Sequence, residues 1–185
     1  MYFLLRLLLA FVPVKSWRRK LNQPVHNLIF GMQLRRRVKS CGKELFLRGY
    51  CRATKQTTIG DFVTLGGVTI FGKGRCIIGN HVQMGPEVLM LTQNHEYEGD
   101  RIPYSKNYIL KDVVIDDCVW IGARVTILPG THIGEGAIIQ AGAVVHGEIP
   151  PCAIAGGNPA KVFSWRDKEH YKQLKREGKF LRGEA

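Results

Sequence analysis

The sequence predicts an all-β chain: a parallel β-helix of about five triangular coils, with a helical appendage at each end. Three observations carry that expectation. An apolar residue or cysteine returns at every sixth position over long stretches. Glycine follows it at eight of fifteen returns. The series is broken once at length, between Met90 and Ile115, by a segment that opens TQNHEYEGDRIPY (92–104).

A helix with 3.6 residues per turn cannot keep one face apolar at a spacing of six, whereas a strand alternates every two residues, and six is a multiple of two. Short strands joined by sharp turns satisfy the pattern, with glycine relieving the turns. Three such units close a triangle, and stacked triangles bury each other's inward side chains. A sandwich needs longer strands and no fixed period.

The first element, residues 1–40, opens with MYFLLRLLLAFVPV and then KSWRRK. Residues 1–43 hold ten Lys/Arg and no acid. The apolar run is too short for a transmembrane helix, which needs about 20 residues. Charge follows the run, and no A-x-A site is visible, so a secretory signal is not indicated. Two readings remain for residues 1–20: an interfacial helix on an anionic membrane, with Trp17 at the acyl boundary and Arg18, Arg19 and Lys20 on phosphates, or a cap on the coil.

The second element, residues 41–162, is the coil. Its repeat falls on Cys41, Leu47, Ala53, Ile59, Leu65 and Phe71, then, one residue late, on Ile78, Met84 and Met90. After the break it falls on Ile115, Ile121, Ile127, Ile133, Ile139 and Val145. The fifth position is small or β-branched at Val63, Val82, Val88, Val119, Val125, Ala137 and Ala143. Residues 92–114 leave the coil as a loop. Loops of that length in compact domains are functional or disordered, and this one carries His95, three acids before Pro103 and three tyrosines. The third element, residues 163–185, leaves the repeat, and Asp167 is placed to cap a helix running to Arg176.

Net charge is +12, concentrated at the termini, which points to an anionic partner. No nucleic-acid recognition motif accompanies it. Five cysteines without C-x-x-C spacing imply reduced thiols in the cytoplasm rather than a disulfide framework or zinc knuckle. His81, His95, His132 and His146 lie 14, 37 and 14 residues apart, a poor spacing for a metal edge, and no metal is expected.

The repeat, and above all IDDCVWIGARVTILPGTHIGEGAIIQAGAVVHGEIPPCAIAGGNPAKV (115–162), resembles the hexapeptide-repeat acetyltransferases. The resemblance is to their sugar O-acetyltransferase branch, including the galactoside, maltose and capsular or exopolysaccharide enzymes. It implies a left-handed coil, a homotrimer with active sites between neighbouring prisms, acetyl-coenzyme A as acyl donor and a saccharide acceptor. The implied activity is O-acetylation in bacterial surface polysaccharide or lipid-linked glycan assembly, in the cytoplasm or on the inner face of the membrane. Alternatives are N-acetylation of an amino sugar and a non-catalytic membrane-surface module.

Acyl transfer needs a base for the hydroxyl proton and a donor for the oxyanion; histidine, with an ordinary pKa of about 6.5, suits the first role. The Asn94-His95 pair matches the catalytic loop of that branch, which makes His95 the base and sets Asn94 beside the acceptor. Glu96, Asp100 and Glu87 are the candidates to orient its far nitrogen. For the donor, the resemblance marks Gly122, Ala123, Ala141, Gly142, His146 and Lys161, with Ala123 N–H as oxyanion donor, Arg166 beside Lys161 for phosphate, and Trp120 as a groove wall or trimer contact. The branch commonly has Thr-Lys-Asp where this chain has His146-Gly147-Glu148.

Overall fold

The computed structural model describes residues 30–183. The expectations for residues 1–20 lie outside the described residues. Among the described residues no helix is long and apolar enough to cross a membrane.

Three parallel sheets form the faces of a prism. The first face stacks Ser40–Cys41, Thr57–Ile59, Cys76–Ile78, Val113–Ile115, His132–Ile133 and Glu148–Ile149. The second stacks Phe46–Leu47, Thr64–Leu65, Gln83–Met84, Trp120–Ile121, Ile138–Ile139 and Ala153–Gly157. Ala160–Trp165 then folds back antiparallel on the last of these. The third stacks Val68–Phe71, Val88–Leu91, Thr126–Ile127 and Val144–Val145, and Arg52 bridges Thr69 ahead of them. The chain thus makes five turns and begins a sixth.

The six-residue repeat becomes three columns in register. Cys41, Ile59, Ile78, Ile115, Ile133 and Ile149 run up the first face. Leu47, Leu65, Met84, Ile121, Ile139 and Ala155 run up the second. Ile70, Met90, Ile127 and Val145 run up the third. From the second coil upward these side chains are buried, as are the seven fifth-position residues. Each coil shields its neighbours' apolar faces from water, which is the main favourable term in folding.

One repeat position is corrected. Phe71 points outward and is 52% exposed, while Ile70 and Val68 point inward. The turn at Gly66-Gly67 is one residue shorter than its counterpart after Met84, and the following turn is longer. The strand therefore slips by one, and a slip of one residue exchanges the faces.

Between the first and second faces, each coil turns through one residue of left-handed conformation: Glu44, Phe62, His81, Cys118, Gly136 and Cys152, with φ between 49° and 70°. Only glycine adopts that region without cost, so five of these six turns are held by the stacking around them. Beside this edge Asp61 Oδ1 accepts from Lys43 N, Asn80 Oδ1 from Asp61 N, and Asp117 Oδ1 from Asn80 N, at 2.6–2.8 Å.

A helical segment, α1 (residues 30–37), closes the first coil through Leu34, which is buried. At the other end lies α2, Lys168–Arg176. Asp167 caps it, accepting from Glu169 N and His170 N, both at 3.0 Å. Asp167→Ala removes those bonds and is expected to cost about 0.5–2 kcal/mol of helix stability, read from α2-specific hydrogen exchange. Beyond the helix the tail runs back along the first edge. Tyr171 donates to Glu135 at 2.9 Å, Phe180 stacks on His81 at 4.0 Å, and Arg182 lies over Phe46 at 4.3 Å. His81 is therefore stacked against both Phe62 and Phe180.

All five cysteines are free. Cys76 has no exposed surface, and burial pushes its thiol up to about 12. It is expected to resist iodoacetamide at about pH 8 until the coil unfolds, a distinction that peptide mass spectrometry reads directly.

Candidate active site

The long break leaves the third face after Leu91 and returns to the first at Val113. Pairing of coil on coil passes straight across it, Ile78 against Ile115 and Met90 against Ile127. The insertion is thus an excursion from an undisturbed column, at the edge between the third and first faces.

Its stem is an antiparallel ladder of Gln93–His95 with Tyr108–Leu110, His95 opposite Tyr108. The foot crosses Gly74, where a side-chain carbon would sit 2.4 Å from Thr92 O and 3.0 Å from Lys111 O, so nothing larger than glycine fits. Arg75 pins the returning strand: its backbone N–H, Nε and Nη2 donate to the Asp112 carboxylate at 2.9, 2.8 and 2.6 Å. The Arg75 hydrogen bonds hold the Asp112 carboxyl below the usual carboxylate range. At the top, Glu96 ties the two arms, accepting from Ser105 Oγ and Asn107 Nδ2 at 3.1 and 3.2 Å.

His95 is half-buried in this frame. Its ring lies 3.8 Å from Tyr104, nearly parallel, and 4.7 Å from Tyr108. Lys73 stands 5.4 Å over Tyr108. Nδ1 is buried and has no hydrogen-bond partner among the described residues. None of the three candidate acids reaches it. Glu96 holds Ser105 and Asn107, Glu87 pairs with Arg124 at 2.9 Å, and Asp100 pairs with Arg101 at 3.5 Å. The tyrosine clamp, rather than a carboxylate, fixes the plane of the imidazole within one chain. Asn94 is exposed, and its Oδ1 accepts from His95 N at 3.0 Å.

The residues marked for the acyl donor lie elsewhere on the prism. Gly122 and Ala123, with Ala141 and Gly142 one coil above, occupy the edge between the second and third faces, and Gly142 N donates to Ala123 O at 2.8 Å. A side chain at Gly122 would meet Ala141 N at 2.5 Å, so this glycine is required by the stack itself. His146 is exposed on the same edge as the His95 excursion, one residue past Val144–Val145. Lys161 is exposed on the final hairpin, opposite Gly156. Arg166 is turned inward, its Nε donating to Gly136 O at 2.6 Å. Trp120 projects from the second face and is 55% exposed. One prism therefore brings His95 and His146 to one edge and Gly122, Ala123, Ala141 and Gly142 to another. His132 is exposed and bonds Asp116 at 3.0 Å.

Sequence reasoning missed the roles of Arg75 and Asp112, which are 37 residues apart and meet only because the excursion is looped out between them. It also missed a cleft of about 730 Å³ on the second face beneath the tail, which does not contain His95.

Comparison with known proteins gives a consistent picture. Residues 112–147 match the family described as bacterial transferase hexapeptide (six repeats). The chain is 40% identical over 85 residues to the galactoside O-acetyltransferase of Lactococcus lactis, covering 46% of this chain and 41% of that protein. It is 31% identical over 128 residues to the putative lipopolysaccharide biosynthesis O-acetyl transferase WbbJ of Escherichia coli, covering 65% and 63%. The chain spans about half the length of the curated relatives it matches. Among solved structures, the hexapeptide-repeat containing acetyltransferase VCA0836 of Vibrio cholerae superposes with a TM-score of 0.62 at 27% identity, covering 87% of this chain and 86% of that one. The same protein in complex with acetyl coenzyme A superposes at 0.59, covering 87% and 82%.

Proposed function

We propose that this chain, which carries the repeat of the bacterial hexapeptide transferases, moves an acetyl group from acetyl-coenzyme A to a saccharide hydroxyl, with His95 as general base. The observation that carries the reading is the clamped imidazole. A coil that needs no insertion for its own stacking extends one stiff hairpin, and that hairpin presents a histidine held flat between two tyrosines. The acetyltransferase relatives, and the neighbour solved with acetyl coenzyme A, support the donor.

In the reaction, the imidazole takes the proton as the acceptor oxygen attacks the thioester carbonyl carbon. The tetrahedral oxyanion is met by the Ala123 N–H. Collapse breaks the carbon–sulfur bond, and the thiolate takes the proton from the imidazolium. Asn94 lies beside the acceptor. Gly122, Ala141 and Gly142 line the pantetheine path, and His146 and Lys161 lie further along it.

His95 and Ala123 stand on different edges of one prism, so a site that uses both is assembled from two subunits. A cyclic trimer supplies three such clefts, each closed by one subunit's hairpin and its neighbour's turns. The galactoside and lipopolysaccharide-biosynthesis relatives favour a sugar acceptor. The role we propose for it is surface-polysaccharide or lipid-linked glycan assembly at the inner face of the membrane. Residues 1–20 supply the basic, apolar contact with anionic lipid.

The test is thiol release from acetyl-coenzyme A with a panel of saccharides and amino sugars, using wild type and His95→Ala. Transfer that depends on His95 and is confined to hydroxyl acceptors supports the proposal. Transfer only to amines replaces it with N-acetylation.

A further inference from the structure

The cleft beneath the tail has a floor and a roof of different origin. Its floor is the outward column of the second face, where Thr64, Gln83 and Trp120 follow one another in register, with Phe46 one rung before them at its end. Its roof is the returning tail, with Tyr171, Leu174, Phe180 and Leu181 over that column. The volume, about 730 Å³, is that of a small-molecule site.

Its polarity is uneven. Toward Trp120 the walls are aromatic and aliphatic, and the Gln83 amide is turned away to donate to Phe62 O at 3.5 Å. At the Phe46 end stand Arg48 and Arg182, both over the Phe46 ring, at 5.9 and 4.3 Å. Of the other cations of the cleft, Lys175 pairs with Glu135 and Lys179 with Glu177, while Arg166 donates to Gly136 O at 2.6 Å and lies over the Tyr171 ring. Among the described residues no carboxylate pairs with Arg48 or Arg182. One rung from Phe46, a spacing of about 4.8 Å, lies Thr64. That residue is only 3% exposed, and its Oγ1 is buried beneath the cleft surface without a hydrogen-bond partner.

We infer that this cleft binds an alkyl or prenyl phosphate. The apolar chain lies along the column from Gln83 to Trp120, and Arg48 and Arg182 hold the phosphate. Guanidinium forks match phosphate oxygens, and the Phe46 face keeps both forks at one end. The site goes beyond the acetyl-transfer reading and stands whether or not the chain transfers acetyl: it uses the second face as far as the fourth coil and the tail, and of the residues marked for the donor it contains Trp120 and Arg166 but not Ala141, Gly142, His146 or Lys161.

Titration calorimetry of the full chain with octyl phosphate, octanol and inorganic phosphate tests this. Octyl phosphate is expected to bind at least about tenfold more tightly than either fragment, since each half of the cleft contributes. Arg48→Gln/Arg182→Gln, checked for an unchanged far-ultraviolet spectrum, is expected to weaken octyl phosphate by about tenfold or more and leave octanol unaltered. The double variant keeps residues 1–20 intact, so binding through that apolar arm would survive in it. Equal affinity for octyl phosphate in wild type and double variant overturns the inference. So does displacement of octyl phosphate by acetyl-coenzyme A, which would make the cleft part of the donor site.

Discussion

His95→Ala is expected to lower kcat/KM for acetyl transfer by about 10²–10⁴-fold, the usual contribution of a positioned general base. The fall should appear in kcat with acetyl-coenzyme A binding intact, because the imidazole acts on the acceptor hydroxyl and not on the donor. Stability should move little: the ring's contacts with Tyr104 and Tyr108 are worth about 0.5–1.5 kcal/mol each, and they lie on the hairpin and not in the column. An enzyme-dependent rate unchanged by the substitution removes His95 as the base. Tyr108→Ala separates position from chemistry. It leaves the imidazole present and removes one of its ring contacts, so a loss intermediate between wild type and His95→Ala is the expected signature.

Ile121→Ala is expected to destabilise the coil by about 2–5 kcal/mol, measured by denaturant unfolding at fixed protein concentration. Ile121 is fully buried and sits between Met84 below and Ile139 above. Its truncation leaves a void that neither neighbour can fill, because backbone pairing holds each coil in register with the next. Since each coil contacts only its neighbours, the weakened step breaks the column in the middle. Trp120→Ala, on the adjacent residue, faces outward and is expected to cost far less. Similar losses at Ile121 and Trp120 would contradict the inward and outward assignment.

Much of the coil was legible because its rules are local. Alternation of period two, a turn every six residues and Asp167 ahead of an amphipathic run are each written within a few residues, and each appears where expected. Phe71 shows the limit. A regular count places it inward, but the short turn at Gly66-Gly67 shifts the strand by one, and no count by sixes registers a turn that loses a residue and a following turn that regains more.

By itself the sequence determined the architecture, most of the residues that fill the three columns and the point at which a histidine-bearing loop leaves them. The tertiary structure decided how those parts meet. It set the imidazole between Tyr104 and Tyr108, joined Arg75 to Asp112, laid the tail over the second face to make a cleft, and put His95 and Ala123 on different edges of the prism. The physical reason is range. Strand alternation and turn chemistry act between neighbours along the chain, whereas these contacts join residues many positions apart that become neighbours only after the coils have stacked.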